Sequence, residues 1–115
     1  MTTLYGISNC DTVAKAKKWL NEANIDFNFV DFRKDGLTTE QVTTWSNAVG
    51  IDKLLNKRGT TWRKLSDDEK GLDNPSALIN LMTENPTLIK RPVLITGERI
   101  EVGFKADFYQ SIFHK

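Results

Sequence analysis

A single cysteine, Cys10, stands among the 115 residues, with one histidine and three prolines. One cysteine excludes an internal disulfide and a cysteine-rich zinc site. The lone His114, next to the C-terminus, supplies no metal-ligand cluster. No stretch approaches the ~20 apolar residues that a membrane-spanning helix needs. The start, Met1-Thr2-Thr3-Leu4-Tyr5-Gly6, has neither the basic residues nor the apolar run of a secretory signal. Charge of one sign is also missing: 16 Lys and Arg against 15 Asp and Glu leave +1. That balance excludes the bulk electrostatics of an ordinary nucleic-acid binder. What is present suits a packed core, with 39% hydrophobic and 10% aromatic residues. The length accommodates one domain, not two. The expectation is a monomeric cytoplasmic chain in reducing conditions, with no bound cofactor or metal, no membrane partner and no direct nucleic-acid partner.

Thr2 to Ile7 reads as a short buried strand, with Leu4, Tyr5 and Ile7 apolar around Gly6. Ser8 and Asn9 suit a turn or a helix cap. From Asp11 the period becomes helical: Val13, Ala16, Leu20 and Ala23 share one face, and Asn24 suits the stop. Phe27 to Phe32 reads as a second strand. The opening is therefore β-α-β, which predicts a parallel pair with a right-handed crossover. Arg33 to Gly36 reads as a charged turn, and Leu37 to Val49 as a helix capped by Thr38 or Thr39. Ile51 to Leu55 reads as a helical turn and Lys57 to Thr61 as a polar loop, with another short helix around Trp62 and Leu65. Asn74-Pro75 starts a helix and Asn85-Pro86 stops it. Val93-Leu94-Ile95, Gly97 and Arg99 to Val102 form a hairpin, and Lys105 to His114 a last helix burying Phe108, Ile112 and Phe113. The reading is an α/β chain with a sheet made from both termini and a helical middle.

Cys10 falls where the first strand meets the first helix. Helix N-termini have backbone N–H groups without intrahelical partners and a positive dipole end. Both favour thiolate over thiol, so the predicted pKa lies below the ordinary ~8.5. An isolated cysteine is ordinarily a small buried hydrophobe. The polar Ser8-Asn9 before Cys10 argues for a reactive one instead. Val13 stands where a CxxC pair would place its second cysteine, so an oxidised Cys10 needs an external thiol such as glutathione. Arg58 and Arg91 lie in loops that could hold a thiolate or an anion near it. The run Lys53 to Lys70 has six basic and three acidic residues, a patch of 6 − 3 = +3 suited to a small anion or peptide carboxylates.

Leu4-Tyr5-Gly6-Ile7-Ser8-Asn9-Cys10-Asp11-Thr12, the run from Leu54-Leu55-Asn56-Lys57-Arg58-Gly59 to Leu65, and Leu88-Ile89-Lys90-Arg91-Pro92 resemble the ArsC family. That family includes glutaredoxin-dependent arsenate reductases and Spx transcriptional regulators, and the chain most resembles its YffB branch. The resemblance covers essentially the whole chain. It implies a thioredoxin-like fold, with a core over about 1–33 and 87–115 and a helical insertion over about 34–86. It implies that Cys10 is the reactive thiol and that Arg91-Pro92 is the family's Arg-Pro pair, with a cis bond facing the cysteine. Asn9, Thr12, Arg58, Arg91 and Pro92 are the expected substrate-binding residues.

The chain also departs from that pattern. The histidine of the arsenate reductases has Gly6 or Ile7 in its place. Arg58 fits the Spx and YffB pattern better than the reductase one. No arginine occurs near Val102-Gly103-Phe104, and Lys105 does not reproduce a guanidinium fork. Val13 excludes the CxxC switch of Spx. The leading expectation is thus a glutathione-dependent monothiol reductase, with glutathione as co-substrate and glutaredoxin as a second thiol partner. An arsenate reductase ranks next, and an Spx-like module that binds RNA polymerase without catalysis ranks last.

Overall fold

The apolar alternation around Leu4 forms the strand on which the sheet is built. The computed structural model describes all 115 residues. They divide into two compact units: Met1–Phe32 with Arg91–Lys115, and Arg33–Lys90.

In the first unit, β1 (Thr2–Gly6) buries Thr2, Leu4 and Gly6 at alternate positions. It runs parallel to β2 (Asn28–Asp31) and antiparallel to β3 (Val93–Thr96), which pairs antiparallel with β4 (Arg99–Val102). The order β2-β1-β3-β4 places a strand from each terminus side by side. Leu4 lies opposite Phe29 on one side and Leu94 on the other. The hydroxyls of Thr2 and Thr96 share a hydrogen bond of 2.8 Å across the β1–β3 pair. This mixed sheet with its flanking helices is the thioredoxin-like arrangement that the sequence motifs imply.

Helix α1 (Asp11–Glu22) buries Val13, Ala16 and Leu20. These meet Leu4, Leu94, Tyr109 and Ile112 in one apolar cluster. Asn24 adopts φ 59 just past the helix, the left-handed conformation that asparagine tolerates. The last helix of the chain, Ala106–Phe113, buries Tyr109 and Ile112. Phe108 and Phe113, expected in the core, are only half-buried there. Tyr109 takes the centre, edge-on to Phe104 at 4.7 Å and to Trp19 at 5.6 Å.

The boundary residue Phe32 opens α2 (Phe32–Asp35), one helical turn where the sequence suggested a charged turn. Within the second unit, Thr38 and Gln41 cap α3 (Thr39–Val49) reciprocally. The short α4 (Ile51–Leu54) and α5 (Thr60–Arg63) follow. Next comes α6 (Asp67–Lys70), which apolar periodicity could not reveal because none of its residues is buried. Ser66 and Glu69 hold it through a capping box. Asn74 caps α7 (Pro75–Glu84), accepting from the N–H groups of Ser76 and Ala77. A 3-10 turn, Pro86–Leu88, ends the unit's helices. Its wholly buried residues include Val42, Leu54, Met82, Leu88 and Ile89. The last helix of the first unit, Ala106–Phe113, is α8.

Candidate active site

Cys10 is the N-cap residue of α1, in extended conformation with φ −107 and ψ 125. Its carbonyl accepts the first helical bond, from the Ala14 N–H at 3.0 Å. The side chain is half-buried and packs on the apolar cluster that holds Leu4, Val13 and Tyr109.

Opposing influences act on the thiol. Burial is the largest and pushes its pKa up. The Val13 N–H, the Arg91 guanidinium and the Thr12 N–H push it down, and the downward influences prevail. Arg91 acts both by hydrogen bonding to the sulfur and by its charge. The sulfur makes no side-chain cap hydrogen bond of ordinary geometry. The N–H contribution is therefore attraction between the helix's first-turn amides and a thiolate, not a formed cap. No cluster of three or more His, Cys, Asp or Glu residues is positioned to hold a metal ion.

Arg91 is half-buried, next to a buried Pro92, and the bond between them is cis. The Pro92 carbonyl accepts from the Gly103 N–H at 2.9 Å. Arg91 reaches the thiol because β3 runs antiparallel to β1, with Val93 opposite Tyr5, so the segment entering β3 lies by the end where Cys10 follows β1.

The turn between β1 and α1 has a second anchor. One oxygen of Asp31, at the end of β2, accepts both from the Ser8 N–H at 3.1 Å and from the Ser8 hydroxyl at 2.5 Å. Gly6 completes the arrangement, since a Cβ there would meet the Val13 side chain. Neither Asp31 nor Gly6 stood out in the sequence as part of this site. Asp31 falls inside the expected second strand and Gly6 among the apolar residues of the first, and nothing local marks either.

The expected site residues fall in different places. Cys10, Thr12 and Arg91 come together, Thr12 through its backbone. Asn9 is exposed in the turn before Cys10. Arg58 belongs to the second unit, where it lines a pocket with Asn56, Lys57 and Lys90.

The model of the ArsC family matches residues 5–112. An uncharacterised protein of Haemophilus influenzae strain Rd is 43% identical over 113 residues, covering 98% of this chain and 99% of that one. A global transcriptional regulator Spx of Staphylococcus aureus is 28% identical over 109 residues, covering 93% of this chain and 82% of the regulator. The solved structure of a YffB protein superposes with a TM-score of 0.93 at 40% identity, covering 96% of this chain and 97% of that one.

Proposed function

The chain belongs to the ArsC family, and we propose that within it Cys10 is the nucleophile of a glutathione-dependent monothiol reductase. The observation that carries this reading is the pairing of Cys10 with Arg91 at the start of α1, which favours the thiolate. The absence of any second cysteine makes the resolving thiol external.

The cycle consumes one thiol of glutathione. The Cys10 thiolate attacks the glutathione sulfur of an oxidised substrate, a mixed disulfide between a substrate thiol and glutathione. A disulfide forms between Cys10 and glutathione, and the substrate leaves as its thiolate. A second glutathione thiolate then attacks that disulfide, restoring the Cys10 thiolate and releasing oxidised glutathione. The mixed disulfide and one glutathione thiol thus give the substrate thiol and oxidised glutathione: the substrate sulfur is reduced and the incoming glutathione sulfur is oxidised. Arg91 stabilises Cys10 as attacking thiolate in the first step and as leaving thiolate in the second. Asn9, the Thr12 N–H and the backbone of Pro92 are the proposed contacts for the incoming peptide. Glutaredoxin is the alternative resolving thiol.

The test is turnover of a glutathionylated peptide with glutathione, in wild type and Cys10→Ser. Loss of turnover in the variant is expected, and full retention would remove Cys10 from the reaction. The Arg91 cation beside the thiol also favours a second reading, reduction of arsenate, in which the oxyanion lies against Arg91. Brisk arsenate turnover with glutathione and glutaredoxin would promote it.

A further inference from the structure

We propose that the second unit carries a small-anion site, a dish of about 320 Å³ lined by Asp52, Leu55, Asn56, Lys57, Arg58 and Lys90. Its ligand is a compact dianion whose charge sits on carboxylate or phosphate groups. The inference rests on side chains of this unit alone and is independent of the thiol chemistry of Cys10.

The cations come from two separate stretches of chain. Lys57 and Arg58 follow α4, and Lys90 follows the 3-10 turn Pro86–Leu88. Leu55 and Ile89 form an antiparallel bridge between these stretches. The Asn56 N–H donates to the Leu88 carbonyl at 2.7 Å, and the Lys90 N–H to the Leu54 carbonyl at 2.8 Å. Leu54, Leu55, Leu88 and Ile89 are all buried, so the clamp is rooted in the unit's core. The Lys57-Arg58 turn is fixed as well. The Asn56 side-chain oxygen accepts from the Arg58 N–H at 3.0 Å, and Arg63 donates to the Arg58 carbonyl at 3.2 Å. Lys57 keeps its ammonium 5.3 Å from the centre of the Trp62 ring.

The three cations are uncompensated. Neither the Lys18–Glu22 nor the Arg99–Glu101 ion pair involves the dish. Asp52 is the sole carboxylate in the lining, so the charge is 3 − 1 = +2. Cations gathered on a fixed backbone without partners repel one another, and a bound dianion relieves that repulsion. Arg58 offers a planar fork for bidentate binding, and the lysines act as point charges. The volume is at the lower end of the roughly 300–1,000 Å³ of small-molecule sites. A dish of that size with three cations is too small for the phosphate track of a nucleic acid.

Amide NMR titration of the full chain at low salt tests this, with inorganic phosphate and succinate as probes. Saturable shifts at Asn56, Arg58 and Lys90 with either probe are expected. The tighter probe identifies the source of the charge, phosphate ester or dicarboxylate. Added chloride should weaken binding. Arg58→Ala and Lys90→Ala should each weaken it roughly tenfold, while folding as wild type by circular dichroism. Asp52→Asn should strengthen it several-fold, a gain that a damaged fold cannot mimic. Cys10→Ser should bind as wild type, so this site and the thiol reading fail separately. Three results would overturn the proposal: no saturable shift with either probe at millimolar concentration, shifts that persist in the Arg58→Ala/Lys90→Ala double variant, or binding confined to a long acidic peptide.

Discussion

Gly6 of β1 and Val13 of α1 approach so closely that a Cβ on the glycine would lie 2.7 Å from Cγ2 of the valine. That contact sets how near the helix start, and hence Cys10, can come to the end of the strand. Gly6 has no positive φ, so the glycine is needed for space and not for backbone freedom.

Gly6→Ala is therefore expected to destabilise the fold by about 1–3 kcal/mol, the range for overpacking a filled core. Urea unfolding measures it. The double variant Gly6→Ala/Val13→Ala should unfold at higher urea than the sum of the two single losses implies, because the clash is gone. Simple additivity would contradict the steric account.

The reactivity of Cys10 should follow a titration below the ordinary thiol range. The expected rate of alkylation by iodoacetamide rises with pH to a midpoint under ~8.5. Arg91→Ala should move that midpoint up, since it removes both a hydrogen bond to the sulfur and a positive charge beside it. The sign for stability follows. A depressed pKa in the folded state means that the unfolded chain binds the proton more tightly. The thiolate's contribution is thus complete above the ordinary thiol pKa and lost as pH falls through the lowered one. An alkylation midpoint unchanged by Arg91→Ala would separate the guanidinium from the thiol.

Tyr109 gives an alkaline counterpart. The side chain is wholly buried, and its hydroxyl has no hydrogen-bond partner. Burial pushes the phenol pKa well above its ordinary value. A raised pKa makes stability full below the ordinary ~10 and lost as pH rises beyond it. Tyr109→Phe removes the unpartnered hydroxyl and keeps the rings against Phe104 and Trp19. The variant should be as stable as wild type at neutral pH or more so, by up to roughly 1–3 kcal/mol. It should also lose less stability above pH ~10. Thermal unfolding at neutral and high pH decides, and a marked loss at neutral pH would show that the hydroxyl has a partner.

The parts of the site differ in how far the sequence discloses them. Cys10 could be read because a strand pattern gives way to a helix pattern at that residue, and helix ends have known electrostatics. Arg91 could not be placed by spacing. It reaches Cys10 only through β3 pairing antiparallel with β1, a long-range event that no local pattern encodes, so its loop position made it a candidate and only the resemblance set it at the cysteine. Asp31 was hidden for the same reason, its partner Ser8 being brought to it by the parallel pairing of β1 with β2. In α8 three aromatics within six residues compete for one core. Helical period alone allowed Phe108 and Phe113 as easily as Tyr109. The missed α6 carried a readable signal, Ser66 followed three residues later by Glu69, but no apolar stripe to support it.

Asp31→Ala should loosen the turn before Cys10. It removes the acceptor for both the Ser8 N–H and the Ser8 hydroxyl. Ser8 is exposed, so water replaces part of the loss, and a stability cost of roughly 1 kcal/mol is expected. Hydrogen exchange should quicken at the Ser8 amide and stay unchanged at Leu94 in the sheet centre. Equal protection of Ser8 in wild type and variant would show that the turn does not depend on Asp31.

Mixed-disulfide formation with glutathione tests the proposed chemistry most directly. Cys10 is the chain's one thiol, so oxidised glutathione should add a single glutathione to the wild type and none to Cys10→Ser by mass spectrometry. Arg91 stabilises the thiolate that attacks, and the loss of one charge-assisted contact costs roughly 1.5–3 kcal/mol. Arg91→Ala should then slow glutathionylation roughly ten- to hundredfold near neutral pH. Part of that loss is only a smaller thiolate fraction, and it should vanish when rates are compared above the thiol pKa of both forms. What remains at high pH is the guanidinium's contact with the incoming peptide. Arg91→Lys keeps the charge without the fork, so it should recover the thiolate fraction but not the residual factor. Arsenate should turn over poorly in all forms, because none of Val102, Gly103 and Phe104, where the arsenate reductases are expected to carry a further arginine, supplies a guanidinium. Rates of glutathionylation indifferent to Arg91→Ala at every pH would leave Cys10 as an ordinary surface thiol and end the case for a dedicated reductase.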